Sequence, residues 1–395
     1  MPSNDGGREK EVEEQAENKL ELLNRSMISK ATQIVSDNKP ASDLWPQFRQ
    51  ALSDYKRRRT DILDSQNPKP EPSGEDPRCG SDSKPKAGLE RHDSFKHKIP
   101  DEDIYTPWPL SSALQNSLQI TAVATGDVIQ NEQASMLRSI LSTLLIQGEL
   151  LYQYATRTVV RIFSDMVVKI NKSKDQTETH VLHHIHKHTQ RIPAPRPLGM
   201  MVIGIWSYTF TSFIPGIPLD RIWGNLTPAK KSYVREQLNH IFTELRRLPG
   251  PSSEGYLGGG TPPVCKGGHR FRKTSSSPIV SEAQFNDFLL EDSWLQPARV
   301  DHIHRSLPNG HRIVMTHGDL CPPNIIVESE DRQRITGIVD WDTGGAYPEY
   351  WEYVNAFKSS LGTRDDWRLY LPKAGIGRYF NEYARYSVIG RFARE

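Results

Sequence analysis

The stretch from Val314 to Tyr353, VMTHGDLCPPNIIVESEDRQRITGIVDWDTGGAYPEYWEY, restricts the fold more than any other part of the chain. Two short apolar runs, Ile325 to Val327 and the one ending in Asp340, flank a charged turn, which predicts a hairpin between a polar loop and an acidic strand end. Upstream, Thr158 to Ile170 (TVVRIFSDMVVKI) predicts a second hairpin turning at Ser164 and Asp165. A helix over Gln176 to His188 follows, stopped where Pro193 and Pro195 remove backbone donors. Strands are expected at Gly199 to Ile205 and Ser207 to Phe213. Strand, strand, helix, strand, strand outlines a small antiparallel-sheet lobe. Before it, Met136 to Leu151 has helical spacing. After it, Thr227 to Leu248 has the period of a buried helix through Val234, Leu238, Ile241, Phe242 and Leu245. Gly250 to Ser277 reads as loop, Ser281 to Leu290 as helix, and Trp351 to Phe392 as helical with aromatic anchors.

The first hundred residues are different. Only 25 of them are apolar, against about 40% of the remainder, too few to offset the entropy of ordering a core. Residues 1–100 are therefore expected to be mostly disordered, with amphipathic islands at Glu11 to Val35 and Leu44 to Ile62. The basic run Lys56 to Arg59 reads as a solvated helix face, or as a nuclear-import or anionic-partner patch. Asn67 to Pro100 reads as linker. No apolar stretch approaches 18 residues and the start is polar and acidic, so neither a membrane span nor a signal or transit peptide is expected. A net charge of +2 makes nucleic acid an unexpected partner. Cys79, Cys265 and Cys321 have unrelated spacings, which suggests reduced thiols rather than a disulfide framework or zinc module. The expected compartment is the cytosol, with the nucleus left open by the basic run.

The polar groups around the downstream hairpin carry the chemistry. His317-Gly318-Asp319 is followed by Asn324, five positions after Asp319, and then by Asp340. Phosphoryl transfer from a nucleotide needs a carboxylate to orient the acceptor hydroxyl and two hard oxygen ligands to hold magnesium across the phosphates. Asp319, Asn324 and Asp340 supply those groups in the order used by protein-kinase-like enzymes.

HGDLCPPNIIV followed by ITGIVDWDTGGAYPEYWEY resembles the aminoglycoside phosphotransferase-like family, and particularly its fungal branch, over about Thr158 to Phe380. The resemblance implies an α+β, bilobal protein-kinase-like fold: a small antiparallel β-sheet lobe of five strands and a larger helical lobe, with ATP between them. The expected division is a disordered region 1–100, an N-lobe 101–213 with a leading helical segment, and a C-lobe 214–395 with the catalytic loop and acceptor site. By the same resemblance Asp319 is the catalytic base, His317 buttresses the catalytic loop, and Asn324 and Asp340 hold Mg2+. Lys169, ending VVK, matches the nucleotide lysine, and Glu178 in the next helix matches its ion-pair partner. Ser212 to Ile214 match the hinge whose backbone meets adenine. Pro348, Trp351 and Glu352 are read as structural. The implied activity is ATP-dependent transfer of a γ-phosphate to a hydroxyl of a small molecule, less readily of a protein.

The chain departs from the family pattern in places. Gln153 to Arg157 (QYATR) contains no glycine where a phosphate loop is expected, Ser212 stands where many members carry Glu, and the chain stops soon after Tyr386, so acceptor-site helices are expected to be short or missing. The alternative is accordingly a pseudokinase-like binding or scaffold protein with a degenerate phosphate loop and the N-terminal region as its arm for a protein partner. His180, His184 and His188 share a helix face, but without an HExxH glutamate or Cys partner they read as surface or packing histidines rather than a zinc site. Cys321 reads as a packing residue rather than a redox sensor, and Trp341, Tyr347, Tyr350, Trp351, Tyr353 and Phe357 as core rather than a ligand box. Lys266 to Lys273 reads as a solvated basic loop, or one that attracts an anion.

Overall fold

The computed structural model describes residues 99–392 except 121–125, 127, 130, 155, 268–272, 292–296 and 359–365, together with scattered helical positions between 19 and 58. The chain divides into two compact units, Met1–Gly88 and Leu89–Glu395. In the first, the described positions fall in both amphipathic islands, and Asp54 pairs with Lys30 at 3.8 Å and Arg57 at 3.3 Å. The disorder expected for the rest of 1–98 lies outside the described residues. Among the described residues no helix is long and apolar enough to cross a membrane.

The second unit is an α+β, bilobal fold. Its sheet lobe has the antiparallel order β2-β1-β6-β7-β5-β4-β3, formed by β1 (Ile104–Trp108), β2 (Val128–Ile129), β3 (Glu149–Tyr154), β4 (Arg157–Phe163), β5 (Met166–Asn171), β6 (Pro197–Ile203) and β7 (Trp206–Ser212). Seven strands replace the expected five. The additional strand β1 contains Pro107, which breaks its alternation, and its register with β6 shifts between Tyr105 and Trp108. An irregularity is where a sheet accepts a residue without an N–H. Strand β2 is two residues long, too short to show a period.

Strand periodicity divides the sheet into two faces. Val160, Ile162, Val168, Ile170, Tyr208 and Phe210 turn to a buried cluster shared with α1 (Ser112–Ser117) and with Leu137, Leu141 and Leu145 of α2 (Asn131–Gln147). The other face carries Arg157, Val159, Lys169 and Thr209, with Lys169 directly opposite Val159 on one side and Thr209 on the other. The helix expected through Leu151 stops at Gln147. Gly148 then passes under β4 so closely that a Cβ would lie 2.4 Å from Val160 Cγ1 and 2.8 Å from Arg161 O. Glu149 onward is strand because it finishes the sheet edge against β4.

Helix α3 (Thr177–His188) connects the lobes, burying Val181, Leu182 and Ile185 in the core of the larger one. Asp175 fixes its first turn, accepting Thr177 N at 2.9 Å and Thr177 Oγ1 at 2.7 Å. After the short strand β8 (Ile217–Pro218) come α4 (Asp220–Trp223) and α5 (Pro228–Leu245). Thr227 caps α5 with Pro228 at its first turn, where no intrahelical donor is lost. Helices α6 (Glu282–Leu290), α7 (Pro297–Ser306), α8 (Trp351–Lys358), α9 (Lys373–Ile376) and α10 (Phe380–Phe392) complete the lobe. Tyr347, Tyr350 and Trp351 lie in its second core with Phe285 and Tyr386, and Trp341 lies in the first. The aromatic set is therefore packing.

Two small sheets position the polar groups. Strands β9 (Ile313–Thr316) and β12 (Gly345–Pro348) pair, as do β10 (Ile325–Val327) and β11 (Ile335–Ile338), with β8 on the free side of β10. His317 follows β9, Asn324 precedes β10, and Asp340 comes two residues after β11.

Candidate active site

The loop from His317 to Asn324 is held from inside. His317 is fully buried. Its Nδ1 accepts the backbone N–H of Asp319 at 3.2 Å and its Nε2 donates to Val339 O at 3.0 Å, a pairing that fixes the Nε2–H tautomer. One ring thus links the loop carrying Asp319 to the residue before Asp340, and Trp341 packs edge-on against it at 4.6 Å. Gly318 has φ +83°, and a Cβ there would lie 2.5 Å from Thr343 O. That backbone conformation and that approach both require glycine.

Glu352, read from sequence as structural, holds the loop from the other side. Its Oε2 accepts the N–H groups of His317 at 2.6 Å and Gly318 at 3.1 Å. Burial pushes its carboxyl above the ordinary value, against the pull of these donors. Asn324 donates Nδ2–H to Asp319 O at 3.0 Å, which leaves Oδ1 as the acceptor end of its amide. The Cys321 thiol donates to Asp319 Oδ1 at 3.5 Å, and burial followed by the Asp319 charge raises its pKa.

The expected lysine pair forms between the lobes. Lys169 Nζ lies 3.0 Å from Glu178 Oε2, bonds Asp340 Oδ1 closely, and lies 3.7 Å from Asp342 Oδ2. Glu178 Oε1 accepts the N–H of Trp341 at 3.4 Å, tying α3 to the backbone after Asp340. Asp340 itself has φ 68°, a conformation costly for a residue with a Cβ and typical of functional sites. Burial alone would discharge each member. The neighbouring Asp340 and Glu178 overcome it at Lys169, whose pKa is raised, and Lys169 overcomes it at Asp340, whose carboxyl is held down to about 2.

Three further participants were not foreseen. Asp342 accepts Arg157 Nη2 at 3.1 Å. Lys266, expected to be solvated or to attract an anion, is mostly buried and bonds both Asp175 Oδ2 and Asp342 O. It therefore clamps the start of α3 to the acidic loop. The only sequence signal for Asp342 was its placement two residues after Asp340, and for Arg157 its sharing of a strand face with Lys169.

The residues expected to form the hinge, Ser212 to Ile214, contact both lobes. Ser212 N donates to Arg196 O, Phe213 N donates to Asp165 O, and Ser212 Oγ accepts Arg196 N. Ile214 packs over Gly337 of β11, so a Cβ there would meet Ile214 Cγ2 at 2.6 Å. The histidines of α3 make packing and backbone contacts: His183 stacks on Trp108 at 4.8 Å, while Nε2–H of His184 donates to Pro249 O and that of His186 to Pro195 O.

In chemical terms the cleft offers a carboxylate at Asp319 and hard oxygens at Asn324 and Asp340, a set that suits magnesium. Ionised, Glu178, Asp340 and Asp342 outnumber Lys169 and Arg157 by one. That excess negative charge is suited to a divalent cation, and the cations Lys169 and Arg157 to phosphate.

Several solved structures are similar to the chain at low identity. Aminoglycoside 2'-phosphotransferase-IIIa in complex with GDP is 15% identical over 66% of this chain and 89% of that one, with a TM-score of 0.45. APH(4)-Ia with AMP-PNP and hygromycin B is 14% identical over 63% and 84%, at 0.42. APH(3'')-Id from Streptomyces rimosus is 17% identical over 67% and 100%, at 0.41. No curated protein matches the chain. Residues 150–388, more than half of the sequence, match the model of the phosphotransferase enzyme family, and the chain belongs to that family.

Proposed function

We propose that the protein is an ATP-dependent phosphotransferase that moves the γ-phosphate to a hydroxyl of a small molecule. The observation that carries this reading is the convergence of Lys169, Glu178 and Asp340 from β5, α3 and the loop after β11. A chain selected only for stability gains little from assembling buried charges, because desolvation consumes much of their attraction.

In this reading Lys169, aimed by Glu178, binds the donor phosphates. Asn324 Oδ1 and the Asp340 carboxylate hold magnesium, which when bound would spread the charge that develops on the phosphates. Asp319 orients the acceptor hydroxyl and receives its proton as the acceptor oxygen bonds phosphorus and the bond to ADP breaks. Ser212 to Ile214 line the adenine end. That relatives have been crystallised with AMP-PNP and hygromycin B, or with GDP, is consistent with a nucleotide donor and a small hydroxylated acceptor.

The rival reading, a kinase-shaped scaffold with residues 1–100 as its arm, draws on one observation: the link between β3 and β4 contains no glycine. Calorimetric titration of the full chain with non-hydrolysable ATP, with and without magnesium, separates the two. Magnesium-dependent binding that is lost in Asp340→Ala supports the enzyme. Absence of binding under both conditions overturns it in favour of the scaffold.

A further inference from the structure

A glycine-rich loop binds phosphate through backbone N–H groups that approach the ligand closely. The link between β3 and β4 lacks that equipment. Its sequence contains no glycine, and Tyr154 pairs directly with Arg157 across it. The position carries a guanidinium instead. Arg157 opens the cleft face of β4, two residues before Val159, which lies opposite Lys169.

The Arg157 side chain is 36% exposed, and its Nη2 lies 3.1 Å from Asp342 Oδ2. The same oxygen lies 3.7 Å from Lys169 Nζ. The two cations thus converge on a single carboxylate oxygen. A planar guanidinium suits phosphate because its parallel N–H groups can engage two oxygens at once.

We propose that Arg157 replaces the missing glycine loop as a phosphate-binding side chain, exchanging the Asp342 carboxylate for the terminal phosphates of the nucleotide. This rests on the nucleotide reading above and assigns the phosphate-covering role within it. The exchange needs a partner that remains in place when the arginine leaves. Lys266 supplies this by bonding Asp342 O and Asp175, so the acidic loop is anchored through its backbone. The arginine, by contrast, reaches the loop only through its exposed side chain. The consequence is selectivity: Arg157 favours di- and triphosphates and contributes nothing toward a monophosphate.

Isothermal titration of the full chain with ATP, ADP and AMP tests this. Arg157→Ala should weaken ATP and ADP about 10- to 100-fold, the range for one hydrogen bond to a charged group, with AMP unchanged. Arg157→Lys should recover part of the loss. Equal losses for all three nucleotides, or none, would overturn the assignment while leaving the nucleotide site intact. Wild-type protein that binds none of them would overturn both. A second variant guards against a folding defect. Asp342→Asn removes the competing carboxylate and should tighten ATP several-fold without magnesium, where weaker binding would contradict the exchange.

Discussion

The carboxylate of Glu352 accepts the backbone N–H of His317 at 2.6 Å in a fully buried setting. A buried carboxylate with its pKa raised by desolvation binds its proton more tightly in the folded chain than in the unfolded one. Its contribution to stability is therefore complete below the ordinary value of 4.5 and is lost as pH rises through the folded value. Glu352→Gln keeps an acceptor oxygen and removes the titration. Urea unfolding across acidic to neutral pH should show wild-type stability falling relative to Glu352→Gln as pH rises. A constant difference would remove the argument. Glu352→Ala should instead cost about 1–3 kcal/mol for each N–H left without a partner.

Lys169 and Glu178 should behave as a coupled pair. Lys169→Met leaves three carboxylates facing Arg157 alone and should destabilise the fold by about 3 kcal/mol, the lower end for an unpaired buried charge because the cluster keeps some solvent. Glu178→Gln should lower nucleotide affinity less than Lys169→Met, and the double variant should lose less stability than the sum of the single ones. Additive losses in a denaturation cycle would show that the two do not act together.

Helix α2 covers the sheet face turned away from the cleft, so its apolar side is structural. Leu141 is almost fully buried there with Val160, Ile162 and Phe210. Leu141→Ala should cost about 2–5 kcal/mol, depending on how far the cavity collapses. Nucleotide affinity at a temperature where the variant remains folded should be unchanged. A small loss of stability in chemical denaturation would show that the layer is dispensable.

The parts of the site readable from sequence lie close along the chain. Asp319, Asn324 and Asp340 belong to one 22-residue segment whose strands end beside them, so spacing alone brings them near one another. The strand carrying Lys169 and the helix carrying Glu178 were legible from their periods, whereas the roles of the two residues came only from the resemblance to the family. Arg157, Asp342 and Lys266 were not legible, because their contacts span 76 to 185 positions and charged residues ordinarily read as solvated. Lys266 illustrates this: its loop has the composition of a surface segment, yet its ammonium is held by a carboxylate and a carbonyl. Strand β1 was hidden by Pro107, whose usual effect is cancelled by an irregular register that sequence does not record.

Asp319 supplies the most direct test of the chemistry. Its backbone is positioned by His317 Nδ1 and its carbonyl by Asn324 Nδ2, and an asparagine keeps a side-chain oxygen that can accept the Cys321 thiol. Asp319→Asn should therefore fold normally and bind nucleotide with unchanged affinity. The amide cannot take the acceptor proton, and transfer should fall by about 10²–10⁴, the usual contribution of a positioned general base. Once an acceptor is found by screening hydroxylated small molecules, phosphate transfer is measured together with nucleotide affinity in the same preparation. Loss of both would place Asp319 among the residues that hold the loop, and unchanged transfer would show that another group orients the acceptor.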